Sequence, residues 1–224
     1  MWDFEHEHYL QTSFSEAACS VSWLPDNAHS LAVGTSMGWV KVYDTRTNTS
    51  GASCSIMAHP APRPRKIRGI RPDPFRSHLF ATYSDYPGDV VKVWDLRKVA
   101  NPGSKAAVVP PSFIVYPQAG GSVSSPMSNN NTHSTSYFVN GGGTEAEAVA
   151  DVAWSTSRPG VLAVATSSKP MISFFSTATA SGSSQLPLYS VAVPEPVQIN
   201  GLSWQLGATV PFALSLLDTS SSAS

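Results

Sequence analysis

The side chains best suited to bind a metal ion lie near the amino terminus, where His6 and His8 alternate with Glu5 and Glu7. Imidazole and carboxylate groups are ordinary metal ligands. This spacing alternates along an extended chain, however, and no third ligand follows nearby. A frayed polar terminus is therefore favoured over a metal site.

A second candidate is a group of closely spaced basic residues interrupted by prolines. Such a group contacts an acidic partner or phosphates, or it forms a solvated link between two structural units. The link is favoured, because a strand pattern begins at Ile67. The basic residues are Arg63, Arg65, Lys66, Arg68 and Arg71.

Other chemical motifs are missing from the sequence. It contains no glycine-rich phosphate loop, no nucleophile elbow and no paired carboxylates on a common face. Asp85 and Asp89 flank the segment YSDYPGD, which fits a turn better than general acid catalysis. Cys19 and Cys54 are too few for a disulfide framework or a zinc site. We predict no catalytic, cofactor-binding or metal-binding residues and no cofactor.

Composition narrows the class of partner. The net charge of −1 favours neither nucleic acid nor a membrane surface. The longest apolar run, at 210–217, is far shorter than the roughly 20 residues that span a bilayer. The acidic amino terminus lacks the basic and apolar parts of a signal peptide. We predict a cytoplasmic protein with protein partners, without a small-molecule substrate and without direct membrane insertion.

The elements that would position any site come from an internal repeat. Each unit has a short alternating segment ending in Trp or Pro, a polar turn, an apolar strand, a second turn and an alternating strand ending on an aromatic residue. Such segments predict strands that form meanders, or blades. Three units occur at 19–46, 67–97 and 149–176, and a fourth begins at Ile199. The predicted fold is an all-β, partial WD-repeat β-propeller of about three and a half blades.

The repeat is carried by aromatic residues and by the aspartates that follow two of them. We predict that the aromatic side chains pack blades together and that each aspartate accepts hydrogen bonds from the amides of the next turn. Their predicted role is structural. These residues are Trp23, Tyr43, Asp44, Trp94, Asp95, Trp154 and Trp204.

The expected domain organisation has three parts: an N-terminal segment at 1–18, the propeller fragment at 19–204 and a Ser-rich tail at 205–224. A segment rich in Ser, Asn and Gly at about 117–148 is predicted to be a disordered insertion. Apolar residues at 106–116 and 188–193 predict outer strands of the second and third blades.

The expected number of blades, about three and a half, is too small for a closed propeller. A closed propeller needs about 4–8 blades. We therefore expect a part of a longer chain, a truncated gene model or one partner in a composite propeller. We also expect the isolated chain to be poorly soluble or oligomeric, because its terminal blade faces are uncovered.

The order and spacing of the motifs resemble the propeller of the Mios (missing oocyte) family. The resemblance covers about 18–204 without the insertion and is most specific at 69–98, which contains the run WDLRK. It implies a subunit of the GATOR complex, which signals amino-acid sufficiency to the TOR kinase, and peripheral association with the lysosomal or vacuolar membrane. The α-solenoid and zinc-binding RING-like region of that family have no counterpart here. The third unit also departs from the pattern by ending in Phe174-Phe175-Ser176.

Three functions remain open from the sequence. The favoured one is a non-catalytic scaffold for protein–protein interaction. The others are a WD-repeat scaffold of another multiprotein assembly and a ligand-binding or enzymatic propeller. An enzymatic channel needs polar residues on the innermost strands. The apolar segments at 31–33, 79–81 and 161–165, treated as innermost, weigh against it.

Overall fold

The fold is a stack of antiparallel sheets, seen here in a computed structural model. Each of the first three sheets is a four-stranded meander, and the fourth has two strands. The structure describes residues 16–25, 29–46, 51–59, 64–84, 86–87, 89–99, 109–117, 148–167, 169–178, 187–194 and 198–204, and the backbone of 213–217.

The strands follow one another in sequence order within each blade. The first blade contains β1 (Ala18–Trp23), β2 (Ser30–Thr35), β3 (Trp39–Asp44) and β4 (Cys54–Met57). The second contains β5 (Gly69–Pro72), β6 (Leu79–Tyr83), β7 (Val91–Asp95), a short 3-10 helix (Leu96–Lys98) and β8 (Phe113–Val115).

The third blade contains β9 (Val149–Trp154), β10 (Val161–Thr166), β11 (Met171–Ser176) and β12 (Tyr189–Ala192). The two-stranded sheet contains β13 (Gln198–Ser203) and β14 (Ala213–Leu217).

The hydrophobic core lies between blades rather than inside any one of them. Ile56 of the first blade packs with Ile70 and Phe80 of the second. Val93 of the second blade packs in the same way with Leu162 and other apolar residues of the third. All five side chains are buried, and burying each contributes about 1.5–3 kcal/mol. The stability of each blade therefore depends on its neighbours.

The first strand of each blade lines the centre of the stack. β1 lies beside β5, β5 beside β9, and β9 beside β13. The segments at 31–33, 79–81 and 161–165 belong instead to the second strands, β2, β6 and β10. Their assignment as innermost was wrong. These strands are apolar because they sit between two strands of their own sheet and are covered by neighbouring blades.

The partial propeller predicted from the sequence is confirmed. The outer strands expected at 106–116 and 188–193 are found as β8 and β12. β14 was not expected from the sequence: it lies inside the segment predicted to be a tail and pairs with β13. The insertion expected at about 117–148 lies almost wholly outside the described residues, so its predicted disorder stays a prediction.

Two ends of the blades carry different connections. The β2–β3, β6–β7 and β10–β11 turns share one end with the links between blades, and we call this end the upper face. Gly38 lies in the first of these turns, between β2 and β3, and has a φ of 81°. A Cβ on Gly38 would lie 2.9 Å from the carbonyl oxygen of His59, so glycine lets the β4–β5 link approach the turn closely.

Candidate functional site

The aspartates of the repeat close the ends of the third strands. Oδ1 of Asp95 accepts a hydrogen bond from the Arg97 amide at 3.0 Å, and its carboxylate pairs with the Arg97 guanidinium at 2.8 Å. Asp44 does the same with Arg46, at 3.0 Å and 2.6 Å. Hydrogen bonds from Arg46 lower the pKa of Asp44 to about 2. Both aspartates thus make the turn contacts expected of them.

The third-strand aromatic residues point into the core. Tyr43 and Trp94 are both buried, and the indole N–H of Trp94 donates to Oγ1 of Thr82 at 2.9 Å. In the third blade the corresponding strand end has Phe175 buried and no aspartate. The packing role of these aromatic residues therefore does not require the aspartate.

Tryptophans at the ends of the first strands join one blade to the preceding blade. The indole N–H of Trp154 donates to the carbonyl oxygen of Arg71 at 2.8 Å. The indole N–H of Trp204 donates to the carbonyl oxygen of Ala153 at 3.2 Å. Trp23 occupies the same position in the first blade and is 57% exposed. We call the hydrogen bond from the tryptophan of one blade to the main chain of the preceding blade the tryptophan joint.

A polar network crosses the centre of the stack. The buried carboxylate of Asp151 accepts hydrogen bonds from the Arg71 guanidinium at 2.8 Å and from the Tyr83 hydroxyl at 2.7 Å. It also accepts from the backbone amides of Val152 at 2.8 Å and Leu202 at 2.9 Å. One carboxylate therefore links the second blade, the third blade and the two-stranded sheet. Burial, followed by the charge of Asp151, raises the pKa of Tyr83, so its hydroxyl remains a donor.

A second polar network holds the β4–β5 link to the β6–β7 turn at the upper face. The Lys92 ammonium donates to the carbonyl oxygen of Ala58 at 2.6 Å and lies 3.3 Å from Nδ1 of His59. Oδ1 of Asp89 lies 3.0 Å from the Arg65 guanidinium, and its Oδ2 lies 3.6 Å from Nδ1 of His59. Within the described part of the chain, Nε2 of His59 is buried without a hydrogen-bond partner.

The charges of this network follow from its burial. Burial, followed by the nearby Lys92 ammonium, lowers the pKa of His59 to about 4, so the imidazole is neutral at pH 7. Burial alone raises the pKa of Asp89, but the charges and hydrogen bonds around the carboxylate lower it overall. Because His59 is neutral, we assign the countercharges of Asp89 to Arg65 and Lys92.

The Ser84, Asp89 and His59 side chains do not form a nucleophilic triad. The Ser84 hydroxyl donates to the Asp89 carboxylate, not to the imidazole. A serine nucleophile needs histidine as its direct base. All three residues are buried, so no substrate atom reaches the hydroxyl.

The exposed part of the upper face is basic and partly apolar. Lys66, Arg68 and Lys169 are exposed, whereas the carboxylates described at this face, those of Glu16, Asp89 and Asp151, are buried in ion pairs. The described part of this face therefore includes three exposed cationic side chains.

An exposed aromatic residue lies against Arg65 at the same face. The guanidinium carbon of Arg65 lies 4.0 Å from the centre of the Tyr86 ring, which is 46% exposed. Met37 projects from the neighbouring turn and is 50% exposed. Aromatic, Met and Arg side chains are enriched at protein interfaces, so the upper face is the candidate interaction surface.

The basic cluster is divided between two environments. Arg65 and Arg71 are held by Asp89 and Asp151, whereas Lys66 and Arg68 are exposed. Arg63 lies outside the described residues. The cluster thus serves both as a link between blades, as favoured from the sequence, and as part of an exposed surface.

A pocket of about 170 Å³ opens at the same face, mostly on the third blade, between the link before β5 and the last sheet. It is smaller than the roughly 300–1,000 Å³ of small-molecule sites. Its lining consists of Arg68, Ala148, Val149, Ala150, Ser167, Ile199 and Asn200.

The described ranges contain no group of three or more His, Cys, Asp or Glu side chains placed to hold a metal ion. In the same residues no helix is long and apolar enough to cross a bilayer. The candidate ligands Glu5, His6, Glu7 and His8, and the turn residue Asp85, lie outside the described part.

Several residues of the two networks were not predicted from the sequence, although Arg65, Arg71 and Asp89 had been named there in other roles. Asp151, Tyr83 and His59 carried no motif, and their partners are remote along the chain. A polar residue inside an otherwise apolar strand was the available signal, because a buried charge requires a partner. Asp151 in the sequence VADVAW is such a residue.

Comparison with known proteins supports the fold and the resemblance. No family model matches the sequence. The chain is 41% identical over 88 residues to the GATOR2 complex protein MIOS of Dictyostelium discoideum, a match that covers 39% of this chain and 7% of that protein. The resemblance to the Mios family is thus confirmed over 88 residues, a shorter stretch than 18–204.

A solved structure shows the same architecture. A chain in the crystal structure of a mitotic checkpoint complex superposes with a TM-score of 0.52 at 19% identity. The superposition covers 84% of this chain and 41% of that chain. This similarity supports the WD-repeat propeller fold alone.

Proposed function

We propose that the chain is a non-catalytic WD-repeat scaffold that holds other subunits of a GATOR-type complex. The observation that carries the proposal is the 41% identity to a GATOR2 complex protein in a chain with a partial propeller fold. In this proposal the complex signals amino-acid sufficiency to the TOR kinase. The chain resides in the cytoplasm and reaches the lysosomal or vacuolar membrane through its complex.

The upper face is the proposed contact with a partner subunit. Lys66 and Arg68 supply exposed positive charge, and Tyr86 and Met37 supply exposed apolar area beside it. Positive patches speed association with acidic surfaces, while aromatic side chains carry much of the affinity. An acidic, partly apolar segment of another subunit matches this surface.

A ligand-binding or enzymatic propeller is a weaker proposal. The polar residues of the central strands do converge, contrary to the expectation from the apolar segments. Their hydrogen bonds, however, are made to one another: Asp151 alone accepts four. A network satisfied in this way holds blades together and leaves few groups for a substrate.

The test is affinity capture of the tagged chain from its source cells, with the bound proteins identified by mass spectrometry. Recovery of GATOR2 subunits in fixed ratio is expected. The double substitution Lys66→Glu with Arg68→Glu should reduce that recovery at least tenfold. Its matched control, Lys98→Glu with Arg158→Glu, reverses two exposed charges at the opposite ends of the blades and should leave recovery unchanged.

Two outcomes would contradict the proposal. Recovery of the wild-type chain without GATOR2 subunits would reject the assembly. Equal loss of recovery in both double variants would reject the upper face as the contact and leave the scaffold role intact.

A further inference from the structure

Equivalent residues stand at the upper-face ends of the first strands. Each lies four positions before the Trp or Pro that ends the first alternating segment of its repeat, and they are Cys19, Arg68, Ala150 and Asn200. The strand register skips Cys19 in β1, Ala150 in β9 and Asn200 in β13, so these three are β-bulges. A bulge takes a residue out of the ladder and re-aims its side chain. The repeat therefore presents one side chain at the same place in successive blades.

Three of these positions meet in the pocket at the upper face, which we call the upper pocket. Arg68, Ala150 and Asn200 belong to the second blade, the third blade and the two-stranded sheet, and all three line it. The backbone amide of Arg68 donates to the carbonyl oxygen of Tyr83 at 2.9 Å, which fixes where its side chain starts. The small side chain at Ala150 leaves space between the two polar ones.

The lining combines buried apolar residues with exposed hydrogen-bond donors. Val149 and Ile199 are buried, at 2% and 1% exposure, and form an apolar floor. The guanidinium of Arg68 and the side-chain amide of Asn200 are exposed and carry N–H donors. Among the described residues that line the upper pocket, Arg68 is the one that carries a charge.

The size and charge of the upper pocket indicate the group that it fits. Its volume of about 170 Å³ lies below the range of small-molecule sites, so it admits one side chain rather than a whole ligand. One guanidinium matches the single charge of a carboxylate, whereas a phosphate group carries about 1.5–2 negative charges. The apolar floor favours glutamate over aspartate, because glutamate has one more methylene to bury.

We propose that the upper pocket binds one glutamate side chain of a partner subunit, with its carboxylate on Arg68 and Asn200 and its methylenes over Val149 and Ile199. The inference rests on the proposed function, since it names one residue type in the acidic segment expected at this face. A guanidinium pairs with a carboxylate through two parallel hydrogen bonds, which makes the contact specific in geometry as well as in charge.

The test is a nuclear magnetic resonance titration of the whole chain with N-acetylglutamate N-methylamide, in which the side chain carries the only charge. Ionic strength is held constant, because salt screens exposed charges. Saturable shifts of the Ala148, Ala150 and Asn200 amides are expected, with a dissociation constant of about 1–10 mM. The capped glutamine analogue should bind at least about 10-fold more weakly. The capped aspartate analogue should bind about 4-fold more weakly.

Two substitutions locate the binding. Arg68→Gln removes the charge and should raise the dissociation constant at least about 10-fold. Ala150→Leu should fill the upper pocket and abolish binding. Arg68 is exposed, so Arg68→Gln should leave the circular dichroism spectrum unchanged and does not depend on the folding of Ala150→Leu. The matched control, Arg158→Gln, removes an exposed guanidinium at the opposite ends of the blades and should leave binding unchanged.

Several results would overturn the inference. They are the absence of saturable shifts, equal binding of the capped glutamine analogue, an equal effect of Arg68→Gln and Arg158→Gln, and tighter binding of inorganic phosphate. Binding that appears only after Glu147→Gln or Glu195→Gln would also overturn it, because a glutamate of this chain would then occupy the upper pocket.

The inference and the proposed function fail in different experiments. Capture of GATOR2 subunits that depends on Lys66 and Arg68, without binding of the capped glutamate, would overturn the inference and support the assembly. Binding of the capped glutamate, with no GATOR2 subunits captured, would support a glutamate pocket and reject the assembly.

Discussion

The buried imidazole of His59 should make the fold sensitive to mild acid. In the folded chain His59 stays neutral down to a pKa of about 4, because burial and the ammonium of Lys92 at 3.3 Å oppose a second positive charge. In the unfolded chain its pKa returns to about 6.5. Between these values the unfolded state binds more protons than the folded state. The free energy of unfolding should therefore fall as pH falls through this window.

The size of the effect follows from the same two pKa values. Each pH unit inside the window is worth about 1.4 kcal/mol. Integration from pH 7 to pH 5 gives a loss of about 2 kcal/mol. Carboxylates do not dominate this range, because the pKa values of Asp44, Asp89 and Asp95 are all lowered below their usual value near 4. Their contribution is lost only in stronger acid.

The assay is urea denaturation at several pH values, at one protein concentration because association shifts apparent stability. The His59→Gln variant keeps a carbonyl acceptor for Lys92 and cannot titrate. It should show most of the slope between pH 7 and pH 5 removed. Lys92→Met takes away the neighbouring ammonium, so the pKa of His59 in the folded chain should rise toward its ordinary value. The loss of stability should then end at a higher pH than in the wild-type chain, with a smaller total. An equal pH slope in His59→Gln and the wild-type chain would refute the reasoning.

Two further substitutions and one labelling experiment test the tryptophan joint, the Asp151 network and the two cysteines. Trp154→Phe deprives the Arg71 carbonyl oxygen of its donor, and urea denaturation should show a loss of about 1–2 kcal/mol. Asp151→Asn replaces one of two accepting oxygens with a donor that faces other donors, and the same assay should show a loss of about 2–4 kcal/mol. A thiol reagent at pH 8 should label exposed Cys19 quickly and Cys54 only on unfolding, because burial raises the pKa of Cys54 to about 11.

Each of these expectations has a control. Trp39→Phe removes an indole N–H that makes no hydrogen bond to a described residue and should cost less than Trp154→Phe. Asp44→Asn removes a carboxylate at the solvent-exposed end of a strand and should cost less than Asp151→Asn. In the Cys19→Ser variant only the slow thiol should remain, and a fast thiol there would contradict the burial argument.

The sequence predicted the blades because strand patterns and turn residues are local. Alternation in WVKVYD and the apolar run VLAVAT each report the environment of their own strand. The order of the strands from the centre outward depends on contacts between blades. The second strands were therefore mistaken for the inner ones. Their complete burial comes from neighbouring blades, which the strand pattern alone cannot locate.

The candidate site was less predictable than the fold. The basic cluster at 63–71 was visible in the sequence, but the ion pair of Arg65 depends on Asp89, which lies on another turn. Asp151 binds partners 68 and 80 positions away along the chain, so no spacing rule within a repeat could connect them. Of the seven aromatic and aspartate residues of the repeat, Trp154 and Asp44 are tested by the substitutions above, and the structural role of the other five stays a prediction.

In the tryptophan joint the donor follows the acceptor along the chain, so the acceptor is synthesised first. In both joints the donor belongs to the later blade and the acceptor carbonyl to the earlier one. Because the amino-terminal blade leaves the ribosome first, the acceptor backbone is already present when the next indole emerges. The acceptor is a main-chain group, so its own side chain can change without loss of the bond. A chain built in this way can lengthen blade by blade during translation, and its blades can diverge in sequence while they remain stacked.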